Sequence, residues 1–594
     1  MVLLRLLPAL CVAACATQAQ GSLSAFSTDV VAIWAPRDHQ ARHVLLRPAT
    51  LQVPAQPAAM KVLVSAAPDI KNGGKVLALY RLFVNGIFVG IGPGRGEGTL
   101  SPGSTEAVYD TIRVPSAALR ASPDGTSVSI ALQCYHTDGG DGAWAMLEAE
   151  VVDSAGDILG TFRTGSPGWF SYNADSIFKD GQPDTGSSYL RINEDIDARA
   201  FKAVSEWRKP QYDPSTQSSE GWAVAEVRRP GSPPAPKTTL PLAVEAGLEP
   251  VSVLQLSSGH YFFDFGVERM AGVSLTVPAA TVAAWGGAGT EVEVRLSEQL
   301  SHFDKHEVLF PGLPLDPGNW NKIPKYISLF TLADGDSHFE HHEYLGLWRY
   351  GELRVKHLFP RDVVASPFVL TQWSVMYPWV DEASFISSST ILNRVWKLCA
   401  DTIKYTSLDT FTDSNVRERT PYEADGFLAS LSFWALRSER AWPRHSTQFV
   451  LNNPTWPTEW KQYAVMLVHG HYMQTGDASL ADANFMRLVN QTMFPYIDAA
   501  SGLVNFTRTR VASMGTCLFG GRICNSPMCH NDSGGVGAGK SCDNIDWLPK
   551  FRAGYRFSPV SSIINAFAVR TLAMMSELAN ATGRSAWGAR LALQ

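Results

Sequence analysis

The hydrophobic periodicity of the chain changes once, near residue 384, and this change limits the folds that it can adopt. Up to about residue 370, short segments rich in Val, Leu, Thr and Phe alternate with clusters of Gly, Pro, Asp and Ser, which is typical of β-sandwich modules. Beyond residue 384, apolar residues recur at helical spacing. The sequence therefore predicts a multidomain β + α protein in which β-sandwich modules precede a helical domain.

The β region is predicted to contain two modules, 22–240 and 241–375. The dipeptide Asn85-Gly86 lies between two apolar segments, which is a strong signal for a hairpin with a type I′ turn. A stretch rich in Pro and Ser, 209–237, indicates a linker or a loop that crosses between modules. Strands are predicted at 79–84, 87–89, 127–133, 148–152, 251–256, 261–265, 273–277, 291–296 and 350–355.

The helical domain, 384–594, is predicted to consist of helical hairpins. Segments after Gly476 and from Asn580 resemble the stop and restart between two antiparallel helices. Hairpins of this kind can close into an α/α toroid. Helices are predicted at 388–405, 425–437, 461–475, 480–489, 558–580 and 585–593.

The charge balance excludes one class of partner. There are 50 Lys and Arg against 56 Asp and Glu, a net charge of −6, and no basic block interrupts the chain, so nucleic acid is not a predicted partner. Hydrophobic residues make up 45% and charged residues 18%, which excludes intrinsic disorder. The 17 Trp, 17 Tyr and 28 Phe fit either large cores or surfaces that stack on sugars.

The amino terminus predicts a secreted protein. Residues 1–21 place Arg5 before a short apolar stretch that ends in small residues, which is the pattern of a removable secretory signal. The alternative is a lipoprotein signal that leaves a lipid anchor on Cys15. No later run reaches the roughly 18 apolar residues of a membrane-spanning helix, so no integral membrane segment is predicted.

Four cysteines lie close together in a segment rich in Gly, Asn and Ser. In an oxidising compartment this spacing favours disulfides that staple a loop. The alternative is a zinc site with His530, although the cluster lacks a CxxC pair. No metal or cofactor is predicted, and a structural calcium ion would leave no signature in the sequence. The four cysteines are Cys517, Cys524, Cys529 and Cys542.

The segment 413–426 has the highest density of charged side chains. Neighbouring carboxylates raise one another's pKa while arginines keep others ionised, so such a segment suits acid catalysis. The alternative is a salt-bridged start of a helix, with Asp425 as its N-cap. The charged residues are Asp413, Arg417, Glu418, Arg419, Glu423 and Asp425.

The pattern Asp-x-x-x-Arg-Glu-Arg-x-x-Tyr-x-x-Asp in this segment resembles the catalytic loop of the family 78 α-L-rhamnosidases. Tyr422 stands where the family usually has Trp, and Glu423-Ala424 where it has Thr-Gly. Other segments similar to this family follow in the same order over about 500 residues. They are 82–86 with Gly92-Pro93, 263–266 with Gly272, 344–350, 546–547 and 562–567.

The resemblance implies a six-hairpin (α/α)₆ toroid, of which about the first half is present, and inverting hydrolysis of terminal α-L-rhamnosides. Inversion needs an acid that protonates the leaving oxygen and a base that activates water. The resemblance implies that Glu418 is the acid and that Asp413 and Asp425 bind sugar hydroxyls. It places the base beyond residue 594, so we expect this chain to be truncated and inactive. If it is active, the base is expected to be Glu459 or Glu423.

The remaining candidates are substrate-binding residues. Trp456 and Trp460, with Glu459 between them, lie where a helix is predicted to begin. Their indole rings can stack on a sugar while the carboxylate accepts hydrogen bonds from it, or the segment can simply pack as a connection between two helices. His469 and His471 are two apart on one helix, so they face different directions and cannot chelate one metal. The full set is Arg417, Tyr422, Glu423, Trp456, Glu459, Trp460, Asp546 and Trp547.

Two other functions stay open. One is an inverting six-hairpin glycosidase for another sugar, which the changes at Tyr422 and Glu423 favour. The other is a non-catalytic carbohydrate-binding protein. All three functions predict a carbohydrate partner, and none of them determines the oligomeric state.

Overall fold

The structure, a computed structural model, describes residues 23–37, 40–67, 78–97, 107–136, 139–183, 192–230, 232–300, 326–343, 345–356, 367–415, 419–455, 457–505 and 560–594. The predicted signal segment and the four clustered cysteines lie outside these residues. Within them, Cys134 is a buried thiol and Cys399 an exposed one. No helix in these ranges is long and apolar enough to cross a membrane.

The amino-terminal module is a sandwich of two sheets, which are antiparallel except where the edge strand at 235–236 pairs parallel to its neighbour. A two-stranded ribbon, β3 (Leu51–Gln52) and β8 (Ser127–Val128), lies beside them. The outer sheet has the order β16 (Glu226–Arg228), β1 (Ala32–Trp34), β10 (Ala145–Val152), β4 (Ala59–Ala66), β7 (Val108–Arg113) and β17 (Ala235–Pro236), with β11 (Ile158–Arg163) on β10. The middle sheet has the order β15 (Trp222–Val224), β12 (Trp169–Asn173), β2 (His43–Pro48), β9 (Ile130–His136), β5 (Ala78–Val84) and β6 (Ile87–Gly92).

The predicted hairpin is confirmed. Strands β5 and β6 pair through Val84 and Ile87, and the two turn residues have φ of 48° at Asn85 and 83° at Gly86. Positive φ at both central positions defines the type I′ turn, whose twist matches that of the strands. The Asn85 amide also donates to the carbonyls of Ala118 and Leu119, which ties the turn to a neighbouring helical turn.

The third sheet forms the second module. Strands 261–265 and 273–277, predicted separately, form one long strand whose register shifts between Asp264 and Arg269. The sheet has the order β13 (Phe178–Pro183), β14 (Ile192–Asp197), β22 (Tyr326–Thr331), β21 (Glu291–Ser297), β24 (Gly346–Val355), β20 (His260–Val277), β25 (Val369–Met376) and β18 (Ala243–Leu248). Strands β19 (Ser252–Ser257) and β23 (Ser337–Glu340) pair with β20.

Two features of this topology differ from the predicted modules 22–240 and 241–375. Strands β13 and β14 precede residue 240 but pair into the third sheet, where β14 lies parallel to β22. The Pro-rich stretch 209–237 is a crossing segment rather than an open linker, because it supplies β15, β16 and β17 to the edges of the first two sheets.

The middle sheet is covered on both faces. In β2, Val44 and Leu46 pack into the core shared with the outer sheet, and Leu45 between them packs into the core shared with the third sheet. Side chains alternate along a strand, so every residue of β2 is buried. The three sheets therefore form one stack with two cores.

A charged network joins the middle and third sheets inside the second of these cores. The Arg81 guanidinium lies 3.0 Å from a Glu340 carboxylate oxygen, and Arg208 lies 2.7 Å from the other oxygen. Arg81 is fully buried and also donates to the carbonyl of His341. Burial raises the pKa of Glu340, but the charges of Arg81 and Arg208 outweigh it and hold this pKa far below its usual value.

Helices make up the carboxyl-terminal part. Three short helices, α1 (Ser116–Leu119), α2 (Ala198–Phe201) and α3 (Ala279–Ala284), lie in the β region. The helical domain contains α4 (Thr390–Thr406), α5 (Glu423–Leu436), α6 (Ala441–Asn452), α7 (Thr458–Thr475), α8 (Ser479–Ala483), α9 (Phe485–Gln491), α10 (Ser562–Ala581) and α11 (Ser585–Ala592). The predicted helix 480–489 is split in two, and α6 was not predicted.

Helices α5, α7 and α10 run side by side in the same direction. Near their starts, Glu423 of α5 contacts Lys461 of α7, and Gln462 of α7 donates to the carbonyl of Ile564 in α10. Farther along, the ring of Trp434 packs on His471, and His469 lies 2.8 Å from Glu577. The amino-terminal ends of the three helices therefore meet at one end of the domain.

Helix α4 presents an apolar surface to solvent. None of its residues is buried within the described chain, and four apolar side chains within its first three turns are 49–70% exposed. On α5, Leu428 and Leu431 are exposed as well. A contiguous apolar surface of this kind marks a face suited to contact with further protein. The four side chains on α4 are Ile391, Leu392, Val395 and Leu398.

Candidate active site

The acidic segment forms a loop that is closed by its own hydrogen bonds. The Asp413 amide donates to the carbonyl of Thr420 at 3.0 Å, and the Thr420 amide returns a bond to the Asp413 carboxylate at 3.0 Å. The Arg419 amide donates to the carbonyl of Ser414. Asp413 thus holds the two ends of the loop together, in addition to its predicted role as a hydroxyl acceptor. Arg417 and Glu418 lie outside the described residues.

Arg419 anchors the loop to the second β module. It is 3% exposed and has a φ of 50°, a left-handed conformation that non-glycine residues adopt only when their surroundings enforce it. Its Nε donates to the carbonyl of Asn415, and its Nη2 donates to the carbonyl of Leu345. These contacts make Arg419 a structural residue of the loop.

The first turns of α5 and α7 bring several predicted residues together. The rings of Tyr422 and Trp460 meet edge to face, with centroids 5.2 Å apart. Burial raises the pKa of Tyr463, and the negative charges of Glu459 and Asp425 raise it further, so both carboxylates lie close to this phenol. Tyr463 therefore belongs to the same cluster, although the sequence did not single it out.

Asp425 is not the N-cap that the alternative interpretation assigned to it. Helix α5 begins at Glu423, and its N-cap is Tyr422, which makes no side-chain cap bond. Asp425 lies in the first turn instead, where a carboxylate interacts favourably with the positive end of the helix dipole.

Glu423 lies in a different environment from the other carboxylates. Its side chain is fully buried, one oxygen accepts from the Thr455 amide at 3.0 Å, and the other accepts from the Thr455 hydroxyl. The Lys461 ammonium lies 3.4 Å away and also contacts the carbonyl of Thr455. This geometry differs from the predicted sugar contact and indicates that Glu423 joins α5 to the start of α7.

Replacing Glu423 by Gln is expected to lower the free energy of unfolding by about 3 kcal/mol, because it removes the carboxylate beside a buried ammonium. Urea denaturation followed by circular dichroism measures this loss. Glu439→Gln is the matched control, because Glu439 lies at the start of α6 and accepts from the amides of Ala441 and Trp442. A loss no larger than that of the control would contradict the bridging role.

The remaining predicted residues divide into two groups. Glu459 is 5% exposed at the start of α7, whereas Trp456, Asp546 and Trp547 lie outside the described residues. His469 pairs with Glu577, and His471 packs beside Trp434, so the two histidines face different neighbours as predicted. Among the described residues, no group of three His, Cys, Asp or Glu side chains is placed to hold a metal ion.

Sequence analysis did not predict that the amino-terminal sandwich contacts the helical domain beside the candidate site. The segment 92–97, after β6, reaches the helical domain, where Arg95 contacts Asp409 and Glu97 lies 3.8 Å from His445. The Gly-Pro-Gly-Arg-Gly sequence of this segment was the available signal, because such a run leaves little side-chain bulk between two packed domains.

The cluster as a whole suits a carbohydrate. Half-buried aromatic rings pack against the C–H faces of a sugar, and carboxylates beside them accept hydrogen bonds from its hydroxyls. Tyr422, Trp460 and Tyr463 supply the rings, and Asp425 and Glu459 supply the carboxylates.

One family model matches part of the helical domain. Residues 381–499 match the model of the bacterial alpha-L-rhamnosidase 6 hairpin glycosidase domain. No curated protein sequence matches the chain.

Solved structures of low sequence identity share the fold. The α-L-rhamnosidase of Dictyoglumus thermophilum is 13% identical, with a TM-score of 0.60 over 95% of this chain and 58% of that chain. The GH78 rhamnosidase of Bacillus sp. GL1 is 14% identical, with a TM-score of 0.60 over 96% of this chain and 76% of that one. The Streptomyces avermitilis α-L-rhamnosidase, solved with L-rhamnose, is 15% identical, with a TM-score of 0.54 over 93% and 48%.

The chain thus spans little more than half the length of the first of these enzymes, and similarity at this identity concerns the fold. In this chain the β-sheets precede the helices, and the matched domain begins just before the first helix of the helical domain. The chain is therefore rhamnosidase-like in its fold: it shares the multidomain architecture of the solved family 78 rhamnosidases, and its residues 381–499 resemble their six-hairpin domain.

Proposed function

We propose that the protein is an inverting glycoside hydrolase that acts on terminal α-L-rhamnosides. The observation that carries the proposal is the juxtaposition, within the matched glycosidase domain, of the closed acidic loop with the carboxylates and rings at the starts of α5 and α7. In an inverting enzyme one carboxylic acid protonates the leaving oxygen while a carboxylate about 6.5–9.5 Å away activates water on the opposite face.

The proposed roles combine the resemblance of the loop with the positions of its described residues. Glu418, between Asn415 and Arg419 in the sequence, is the proposed acid. Asp425, in the first turn of α5, is the proposed acceptor of a sugar hydroxyl, and Asp413 combines that role with closing the loop. Arg417 is proposed to orient a carboxylate or a hydroxyl.

The base is proposed to come from a later helix of the six-hairpin barrel, and Glu459 is the alternative within this chain. Glu459 supports this alternative because it lies at the start of α7, close to Tyr463 and therefore on the same side as Asp425. Glu423 is the weaker candidate, because both of its oxygens contact Thr455.

The choice of sugar is proposed to depend on the aromatic pair. Tyr422 and Trp460 meet edge to face, so one of the two rings can lie flat against a pyranose while the other closes its side. A 6-deoxy sugar such as rhamnose exposes a methyl group, which an aromatic wall accommodates better than a hydroxymethyl or carboxyl group does.

The test is hydrolysis of aryl α-L-rhamnosides beside aryl glycosides of other deoxy sugars and of uronic acids. It is run on the 594-residue chain and on a chain extended through the downstream reading frame. Proton NMR during the first turnover identifies the anomer of the released sugar, and the proposal expects β-L-rhamnose. Retention of the α configuration would contradict inversion, and turnover of another glycoside alone would replace rhamnose.

A binding function without catalysis is the remaining outcome. Calorimetric titration with rhamnose-containing oligosaccharides distinguishes it, since a protein that binds them with no turnover in either form is a carbohydrate-binding protein. The enzyme proposal would then be withdrawn.

A further inference from the structure

Arg95 reaches from the amino-terminal sandwich to the residues that precede the acidic loop. Its amide donates to one Asp409 carboxylate oxygen at 2.7 Å, and its Nη1 donates to the other at 2.7 Å. Nη1 also lies 3.3 Å from the Thr410 hydroxyl. Both partners of the ion pair are buried, Arg95 at 5% and Asp409 at 7% exposure.

The same guanidinium contacts the far end of the loop. Its Nη2 donates to the carbonyl of Arg419 at 2.9 Å. One side chain therefore bridges residue 409 to residue 419, on either side of the segment that contains Glu418. A planar guanidinium presents its donors in a fixed fork, so it sets the distance between two acceptors in a way that a flexible ammonium does not.

The two domains pack so closely at Gly94 that a side chain there would collide with its neighbours. A Cβ at Gly94 would lie 2.7 Å from the Asp409 Cβ and 2.8 Å from the Lys237 ammonium. Burial raises the pKa of Asp409, but the charge of Arg95, the Arg95 amide and the charge of Lys237 together hold it below its usual value. Asp409 is thus an ionised, buried acceptor, and removing its partner costs more than removing the partner of an exposed carboxylate.

The rest of the segment holds the domains in register. The backbone carbonyl of Glu97 accepts from the Asn452 amide at 3.1 Å, and its carboxylate accepts from the Thr238 hydroxyl, which also lies 3.2 Å from His445. Segment 92–97 is therefore fixed at two places, by the loop at Arg95 and by α6 at Glu97.

We propose that Arg95 is a positioning residue for catalysis: by bridging Asp409 and the Arg419 carbonyl, it holds the two ends of the acidic loop in the geometry that the proton transfer to the leaving oxygen requires. This proposal rests on the proposed function. It assigns part of the active-site geometry to the amino-terminal sandwich, through a side chain that binds the loop.

The first experiment measures the loop without activity. Hydrogen–deuterium exchange of the amides of Arg419 and Thr420, which donate to Ser414 and Asp413, is compared between the wild type and Arg95→Met. Exchange is expected to accelerate by at least about tenfold in the variant. Arg437→Met is the control, because Arg437 is equally buried in the helical domain but contacts Pro378 and Glu382. Unchanged exchange at these two amides would overturn the proposal.

The second experiment separates a positioning role from general destabilisation. Phenyl α-L-rhamnoside needs its leaving oxygen protonated, whereas the 2,4-dinitrophenyl analogue needs little protonation. For Arg95→Met, kcat on the phenyl substrate is expected to fall about 10²-fold, against less than about threefold on the dinitrophenyl substrate. Arg95→Lys is expected to recover part of the loss, because it keeps the pairing with Asp409 but not the fork.

Each outcome decides one proposal. An equal loss on both substrates, matching the loss in Arg437→Met, would reduce Arg95 to a structural residue. A wild type that hydrolyses no rhamnoside would contradict the proposed function, and the exchange measurement would still decide whether Arg95 holds the loop.

Discussion

The variant Glu418→Gln is expected to lower kcat on phenyl α-L-rhamnoside by about 10²–10⁴-fold, the usual contribution of a positioned general acid. Glutamine preserves the shape of the side chain but has no acidic proton, so the leaving oxygen must depart unprotonated. KM is expected to change little, because the acid acts in the transition state more than in binding. Steady-state kinetics on the phenyl and 2,4-dinitrophenyl substrates measure the effect, and the dinitrophenyl rate is expected to be nearly retained.

The matched control is Glu577→Gln on α10, whose carboxylate is exposed and pairs with His469. A double variant gives a second test. In the Glu418→Gln background, Arg95→Met is expected to cost little more on the phenyl substrate, because two changes that act on one proton transfer are not additive. Full activity of Glu418→Gln on the phenyl substrate would remove Glu418 as the acid.

The variant Glu340→Gln is expected to lower the free energy of unfolding by about 3 kcal/mol or more, since it leaves Arg81 and Arg208 facing each other between two sheets without their common anion. Arg81 also lies 4.2 Å from the ring of Phe88 and 4.8 Å from that of Trp373, so it has no route to solvent. Chemical denaturation at neutral pH measures the loss. Glu382→Gln is the control, because Glu382 pairs with Arg437 and Ser438 at a more exposed position.

The pH dependence of the wild type follows from the same carboxylate. Its folded-state pKa lies far below the ordinary glutamate value of 4.5, so folding is stabilised by its ionisation at every pH above 4.5. As pH falls below 4.5, the unfolded chain takes up a proton first, and this contribution is progressively lost. The slope of stability against pH below 4.5 is expected to be smaller in Glu340→Gln, and an unchanged slope would contradict the assignment.

The elements with clear local patterns were predictable from the sequence. The Asn85-Gly86 hairpin and the helices α4, α7 and α10 lie within a few residues of their expected bounds. Helix α6 was missed because its first turn contains Pro443 and because His445, Ser446 and Thr447 interrupt the apolar pattern of its buried residues. Strands β13 and β14 were assigned to the wrong module because pairing with β22, more than 100 residues away, leaves no local signal.

The candidate site, too, was only partly predictable from the sequence. The acidic segment was found because its charges are neighbours in sequence, but the pattern did not show that Glu423 turns inward to Thr455 while Asp425, two residues later, approaches Tyr463. Residues two positions apart on a helix face different directions, so Glu423 and Asp425 cannot both lie on the same surface of α5. Before the helix start was known, the sequence did not show which of the two faces the site. Arg95 lies 314 residues before Asp409, and its role depends on a domain contact that no local spacing encodes.

The middle sheet, buried on both faces, has a consequence for how such proteins can be recombined. A crossover near residue 240 that exchanges the front module between homologues would part Arg81 from Glu340 and Arg95 from Asp409, and would graft β13 and β14 onto a foreign third sheet. The amino-terminal module therefore cannot be exchanged between homologues as an independent unit. Chimaeras that retain function are expected to take the whole segment from β1 to α6 from a single parent.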